Sequence, residues 1–331
     1  MLISLVVPCY NEQAVLRHFH RRVSDHVTAA PVVDSYEFLF VDDGSSDDTL
    51  AVLRELAARD ARVRYLSLSR NFGKEAAMLA GLRGATGDAV VLMDADLQHP
   101  PELLSRMAEL HRQGFDQVLA RRTRTGDGLL RTATARLYYR LVNRFMDVEL
   151  VDGVGDFRLL SRRAVDAVLS LTESNRFSKG LFAWIGFPST TFGYENAARE
   201  YGTSKWRLSG LFEHGLNGVI SFNTRPLRAA LHLGLALLLG AAGYALWIVG
   251  SVLVSGVDTP GYATLIAVMT ALAGVHMVMI AVVGEYVGRI FHEVKRRPHY
   301  VLKETHAETH AAPASPTEPP RSPSAAAKAA R

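Results

Sequence analysis

The chain has 331 residues and a single cysteine, Cys9. An internal disulfide is therefore excluded, which fits a reducing compartment. Cys9 stands at the end of an apolar run and reads as a packed small residue rather than a nucleophile. Charge is missing from two long stretches: no Asp, Glu, Lys or Arg occurs from 229 to 257 or from 259 to 284. Each exceeds the roughly 20 residues that carry a helix across a bilayer core. Two such neighbours argue against a buried hairpin in a soluble core, and each tolerates one neutral histidine, His232 and His276. The opening residues lack the basic region and cleavage site of a signal peptide, so none is expected. The 12 histidines show no metal-ligand spacing, and no histidine metal centre is expected. No internal repeat is present.

Hydrophobic residues make up 48% of the chain, and they concentrate late. Only residues 257–261 separate the two uncharged runs, which predicts a tight helical hairpin. Arg225 and Arg228 precede it, and Arg289, Lys295, Arg296 and Arg297 follow it. The short connection has no positive charge. The positive-inside tendency puts both chain ends of a multi-pass membrane protein in the cytoplasm. The net charge of +4 gathers near these segments and in the final tail. Anionic lipid is the simpler partner, and nucleic acid is not expected.

The first half alternates strand and helix patterns. Strands are expected at 2–7, 36–41, 63–68, 89–93 and 116–120. Helices are expected at 12–29, 48–58, 74–84 and 101–113. This alternation predicts βαβ units and a mostly parallel sheet covered on both faces, an α/β fold. From 129 to 145 a basic amphipathic helix carries Arg131, Arg136, Arg140 and Arg144. Its basic face suits a membrane surface or a solvated face of the domain. A second amphipathic stretch covers 208–222. Beyond about 303 the composition cannot build a core and reads as a disordered tail.

The acidic triplet Asp94-Ala95-Asp96 closes the apolar run 89–93. It delivers two carboxylates to the end of a buried strand, where ligands of open α/β sheets bind. Two aspartates suit a hard divalent cation that keeps phosphate as a co-ligand, and Gln98 is placed to join them. A capping turn before Pro100-Pro101 is the competing reading. Asp42 and Asp43 end the second strand, with Asp47 as the expected cap of the following helix.

Five motifs occur in order: Val7-Pro8-Cys9-Tyr10-Asn11-Glu12, Val41-Asp42-Asp43-Gly44-Ser45-Ser46-Asp47, Asp94-Ala95-Asp96-Leu97-Gln98, Gly155-Asp156-Phe157-Arg158-Leu159 and Gly202-Thr203-Ser204-Lys205-Trp206. Together they resemble the inverting glycosyltransferases of the GT-A (Rossmann-like) fold, in particular the polyprenyl-phosphate glycosyltransferases. That group includes dolichyl-phosphate mannose synthases and bacterial undecaprenyl-phosphate glucosyltransferases. The segment Gly284-Glu285-Tyr286-Val287-Gly288-Arg289 resembles the bacterial branch.

The resemblance implies a catalytic set of Asp94, Asp96 and Asp156, with Asp96 on a Mg²⁺ or Mn²⁺ ion and Asp94 and Gln98 beside it. It implies a nucleotide-sugar pocket lined by Pro8, Tyr10, Glu12, Val41, Asp43, Asp94, Ala95 and Gln98. Arg122 (or Arg121), Arg131, Arg199, Ser204 and Lys205 are implied for the acceptor phosphate. Asp156 faces the acceptor or acts as a base, and Arg158 pairs with it. Trp184 and Trp206 pack or anchor at the membrane interface.

The implied organisation is a GT-A domain over 1–207, an amphipathic interface helix over 208–226, transmembrane helices over 227–254 and 262–284, a cytoplasmic juxtamembrane segment over 285–303 and a tail over 304–331. The implied reaction moves one sugar from a nucleotide sugar, UDP-glucose first, to undecaprenyl phosphate with inversion. GDP-mannose with a polyprenyl phosphate is the alternative donor. A processive polysaccharide synthase is disfavoured because its Gln-x-x-Arg-Trp motif is absent. A catalytically silent membrane sugar-binding scaffold is the non-enzyme alternative. Related proteins assemble in the membrane, so a homo-oligomer is expected.

Overall fold

The computed structural model describes residues 1–28, 33–123, 143, 151, 153–173, 176–194, 225–255 and 261–306. Within these, the elements in chain order are β1 (Leu2–Cys9), α1 (Leu16–Thr28), β2 (Ser35–Asp42), α2 (Thr49–Arg59), β3 (Val63–Leu68), α3 (Lys74–Gly84), β4 (Ala89–Leu92), α4 (Leu103–Arg112) and β5 (Gln117–Arg122). There follow β6 (Val154–Ser161), α5 (Arg162–Ser170), α6 (Ser178–Trp184), β7 (Ser189–Tyr194), α7 (Arg225–Ser255), α8 (Tyr262–Lys295) and β8 (Leu302–Thr305).

All eight strands form one sheet in the order β7-β5-β6-β4-β1-β2-β3-β8. β1 pairs in parallel with β2 and β4, and β2 with β3. β6 runs against β4 and β5, and β8 runs against β3. The sheet is thus mixed but mostly parallel. The first five strands are those expected from the sequence, and α3 has the expected bounds. β6, β7 and β8 were not anticipated.

Alternate residues of the apolar strands serve opposite faces, which is why these strands read as unbroken hydrophobic runs. Ile3, Leu5, Val7 and Cys9 pack with Phe19, Phe38 and Phe40 on the face covered by α1, α2 and α4. Val6, Val90, Leu92 and Leu160 pack with Met78, Leu82 and Val165 on the other face. Cys9 is buried there as expected, its thiol donating to the Val7 carbonyl at 3.3 Å, and burial pushes its pKa upward. Gly81 lets α3 lie directly on β1, since a Cβ there would stand 2.2 Å from Val6 Cγ1.

The sheet edge at β3 is closed rather than left open, which guards against strand pairing with other chains. Ser69 N–H donates to the Val301 carbonyl at 2.8 Å, and Glu304 accepts from Arg54 and from the Tyr65 hydroxyl. Residue 304, where a disordered tail was expected to begin, lies within the paired strand Leu302–Thr305. Residues 307–331 lie outside the described residues.

α7 and α8 span 31 and 34 residues. Among the described residues one stretch, Ala271–Lys295, is long and apolar enough to cross a membrane, and His232–Tyr244 is a shorter apolar stretch. The helices touch where Gly234 meets Met279. Leu238, Leu246, Trp247, Met277 and Ile280 are all exposed. α8 continues past residue 284, where the second membrane helix was expected to end, and Glu285 and Arg289 support the added turns with an i,i+4 ion pair. The amphipathic stretches 129–145 and 208–222 fall almost wholly outside the described residues.

Candidate active site

Parallel strands deliver their carboxyl ends to one edge of the sheet, and helices that follow them begin there. In register, Cys9 stands beside Asp42, and Val6 beside Leu92. The Tyr10, Asp43 and Asp94 segments therefore leave the sheet at the same edge. β6 enters at that edge. Its antiparallel register pairs Leu92 with Arg158, so Asp94, two residues beyond one, faces Asp156, two residues before the other.

Between these carboxylates sits a residue the sequence reading did not select. Lys74 Nζ lies 2.6 Å from Asp94 Oδ1 and 2.7 Å from Asp156 Oδ2. The three side chains are 40%, 33% and 20% exposed, so the cluster is open to a ligand. Burial opposes the Lys74 charge, but Asp94 and Asp156 outweigh it and hold its pKa well above the usual lysine value. Burial pushes the Asp156 carboxyl up, yet Lys74 and Lys179 outweigh that and hold it far below the usual range.

Asp43 explains why Lys74 arrives there. It was expected in the nucleotide-sugar pocket. Its buried carboxylate accepts from Phe72 N–H at 2.7 Å and Gly73 N–H at 2.9 Å. This clamps the segment immediately before α3 and aims the first residue of the helix. Gly44 permits the approach: its φ is +64°, and a Cβ would stand 2.3 Å from the Arg70 carbonyl carbon. Asp42 braces the same turn, accepting from Ser45 N–H and the Ser67 hydroxyl. Asp47 accepts from the Thr49 N–H in the first turn of α2, as expected of a cap, although Asp48 holds the cap position itself.

Leu97, at φ +56°, is a bulky residue in the left-handed region, a costly conformation that clusters at functional sites. It bends the chain so that Gln98 N–H donates to Asp96 Oδ1 at 3.2 Å. Asp96 and Gln98 are half-buried at the rim. Beneath them His99 stacks on Phe157, centroids 4.5 Å apart, and both meet Tyr194 edge-on. Burial pushes His99 below its usual pKa, so it stays neutral. Burial pushes Tyr194 up to about 12.

Pro8, Tyr10 and Glu12 flank the same edge, and Tyr10 is exposed. Val41 and Ala95, expected at the nucleotide, have side chains buried in the core, which leaves their backbone groups to border that edge. Arg158 does not pair with Asp156 at ion-pair distance. Its Nη2 donates to the Gly155 carbonyl at 2.7 Å and its guanidinium lies over the Phe182 ring at 4.2 Å. Complete burial pushes it down to about 10. Trp184 is 59% exposed, which removes the packing reading and keeps the anchoring one. Arg122 ends β5 at the site edge, beside Tyr194 in register. Arg131, Arg199, Ser204, Lys205 and Trp206 lie outside the described residues.

Among the described residues no group of three His, Cys, Asp or Glu side chains forms a metal cage. Asp94, Asp96 and Gln98 offer oxygen donors alone, at a half-exposed rim. That set fits a hard cation whose remaining ligands come from phosphate or water.

Residues 4–169 match the family described as glycosyl transferase family 2. The chain is 47% identical over 303 residues to the glycosyltransferase CsbB of Bacillus subtilis (strain 168), covering 92% of each chain. It is 40% identical over 307 residues to the bactoprenol glucosyl transferase of Shigella phage SfII, covering 92% of this chain and 99% of that one. Among solved structures, the mannosyltransferase PcManGT from Pyrobaculum calidifontis, in complex with GDP-Man and Mn²⁺, aligns with a TM-score of 0.47 at 18% identity, over 89% of this chain and 86% of that one.

Proposed function

Because the chain belongs to glycosyl transferase family 2, we propose that it moves one glucose from a nucleotide-sugar donor, UDP-glucose, to a polyprenyl phosphate, with inversion at the anomeric carbon. The observation that carries this reading is the Asp94–Lys74–Asp156 cluster at the sheet edge, with Asp96 and Gln98 at its rim. The similarity to bactoprenol glucosyl transferases supports glucose as the sugar and a polyprenyl phosphate as the acceptor.

In the reaction a lipid phosphate oxygen forms a bond to the anomeric carbon while the bond from that carbon to the donor diphosphate breaks on the opposite face. The electron pair leaves with the nucleoside diphosphate. The acceptor oxygen is already anionic at neutral pH, so a strong base is unnecessary. Asp156, held far below the usual carboxylate range, suits that requirement: it is a poor proton acceptor and a good fixed anion. It positions Lys74 and lies on the side of the site where the acceptor enters. Lys74 supplies a fixed cation against the two phosphate-bearing substrates. Pro8, Tyr10, Glu12 and Asp43 border the nucleotide, and Arg122 with Arg131, Arg199, Ser204 and Lys205 holds the acceptor phosphate.

A divalent cation, Mg²⁺ or Mn²⁺, when held by Asp96 with Asp94 and Gln98, supplies charge neutralisation to the departing diphosphate. α7 and α8 form a membrane hairpin, and the catalytic domain and both chain ends face the cytoplasm. Apolar surface exposed along both helices supports the hairpin, and the basic residues flanking it support the orientation.

The test is a donor panel against undecaprenyl phosphate with purified full-length protein, with and without chelator. UDP-glucose with metal is expected to give a single-sugar lipid, and Asp96→Ala to abolish transfer while keeping membrane insertion. A polymeric product, or full turnover in chelator, would overturn the reading.

A further inference from the structure

A cavity of about 670 Å³ is bordered by Glu75 and Ala76 in the first turn of α3, the turn that begins with Lys74. Its walls come from the segment before α3, from the segment before α6 and from the C-terminal end of α8 with the residues that follow. Four arginines line it: Arg70, Arg176, Arg289 and Arg297. Three carboxylates line it too, Glu75, Glu285 and Glu293, one fewer than the arginines: Glu285 pairs with Arg289, and Glu75 accepts from the Ser178 N–H and hydroxyl. Arg70 lies over the Phe72 ring at 4.2 Å, and neither it nor Arg297 takes part in an ion pair among the described residues. Arg176 donates to the Leu171 and Val168 carbonyls, and its Nε is a buried donor with no partner. An unmatched buried donor is costly unless an acceptor arrives. The surplus is therefore cationic.

The position narrows the ligand. Arg289 lies in the last turns of α8, in the stretch able to cross a membrane, and Arg297 lies just beyond its end. On the same turns Ile290, Phe291 and Val294 are exposed. Arginines at the end of a span meet the headgroup layer, where each contributes to holding an anionic lipid.

We propose that this cavity binds the phosphate headgroup of an anionic diacyl phospholipid, separately from the acceptor. The bound headgroup ties α8 to the segment 70–73, which Asp43 clamps and which leads into Lys74. This rests on the reading of α8 as a membrane helix, and it makes the bilayer's anionic lipid a positive effector of the site. Lys74 and Glu75 are consecutive residues of one helical turn, one reaching the carboxylates and the other lining the cavity.

The test uses the full chain in nanodiscs of phosphatidylcholine with increasing phosphatidylglycerol, without donor. Native mass spectrometry reads retained lipid for wild type, Arg70→Gln/Arg297→Gln and the charge-keeping Arg70→Lys/Arg297→Lys. Wild type is expected to retain one phosphatidylglycerol, the Gln variant about tenfold or more weakly, and the Lys variant nearly as wild type. Transfer in pure phosphatidylcholine should be unchanged in the Gln variant, while the rise on adding phosphatidylglycerol is lost. Equal retention by wild type and the Gln variant would overturn the proposal. So would displacement of the lipid by inorganic phosphate, or selective displacement by polyprenyl phosphate, which would assign the cavity to the acceptor. Retention is read without turnover, so a failure of the transfer reading leaves this result separately visible.

Discussion

Replacing Lys74 with methionine removes one ammonium and little volume. Its nitrogen is 2.6 Å from Asp94 and 2.7 Å from Asp156, so the two carboxylate oxygens stand within about 5 Å of each other. At an effective dielectric of about 20, two like charges at that distance repel by about 3 kcal/mol. Solvent reaches the 40% exposed lysine head and screens the pair, which lowers the cost to about 1–2 kcal/mol. In chelator, the variant should therefore unfold about 2–8 °C below wild type. Millimolar Mg²⁺ should restore much of that gap, because a cation now neutralises what the ammonium did. Turnover should fall by about 10²-fold, the usual cost of losing one positioned charge at a developing anion. Thermal unfolding with and without Mg²⁺, beside a radiolabelled donor assay, checks both arms. A loss of stability that Mg²⁺ leaves untouched would mean Lys74 acts by packing. Wild-type turnover would remove it from the site altogether.

Three further outcomes are expected. Asp43→Asn turns an amide N–H₂ toward Phe72 or Gly73 N–H and should cost about 1–3 kcal/mol, read by chemical unfolding, with turnover falling as Lys74 loses its aim. Gly44→Ala forces a side chain into a left-handed backbone 2.3 Å from the Arg70 carbonyl carbon; it should cost about 2 kcal/mol or more, and a wild-type melting temperature would refute the close approach. Asp60 is held at about 2, chiefly by its hydrogen bond from Arg62 and against burial. A depressed carboxylate stabilises above its unfolded value of about 4 and loses that contribution as pH falls toward 2; Asp60→Asn should therefore destabilise by about 1–2 kcal/mol at pH 7, with the difference shrinking in melts taken near pH 3.

The parallel half of the fold was legible because buried parallel strands leave a simple trace. Runs such as 2–7 and 89–93 are apolar at every position but Ser4, since both faces are covered. Lys74 to Gly84 was legible as a helix because strong helix formers fill it apart from Gly81 and Gly84. β6, β7 and β8 left no such trace. β6 reads Val-Gly-Asp-Phe-Arg-Leu-Leu-Ser, with glycine, aspartate and arginine among its first five residues. Its Arg158 is tolerated only because Phe182 and the Gly155 carbonyl receive it. β8 is four residues, none of them buried, whose strand character comes from the open edge of β3 rather than from their own propensity.

The site was legible in its acids and hidden in its cation. Asp94 and Asp96 stand out because carboxylates rarely close an apolar strand without a reason. A lysine opening a helix resembles any solvated surface charge, and nothing local in Asn71-Phe72-Gly73-Lys74 marks it. Its role comes from three distant facts that only the fold joins: the register of β6 against β4, the Asp43 clamp on the segment before α3, and the packing of Gly81 on Val6. The same logic explains His99. Stacked on Phe157 and kept neutral by burial, it forms an uncharged floor beneath a charged cluster. The charges above it must then be matched among themselves and by the substrates. Without phosphate present, one ammonium between two carboxylates leaves the cluster net negative. A nucleotide diphosphate alone would be repelled by that balance. On the function proposed above, it is accommodated with added cations, from the rim at Asp96 and Gln98 or from the acceptor arginines, so that reading predicts donor binding that depends on a cation.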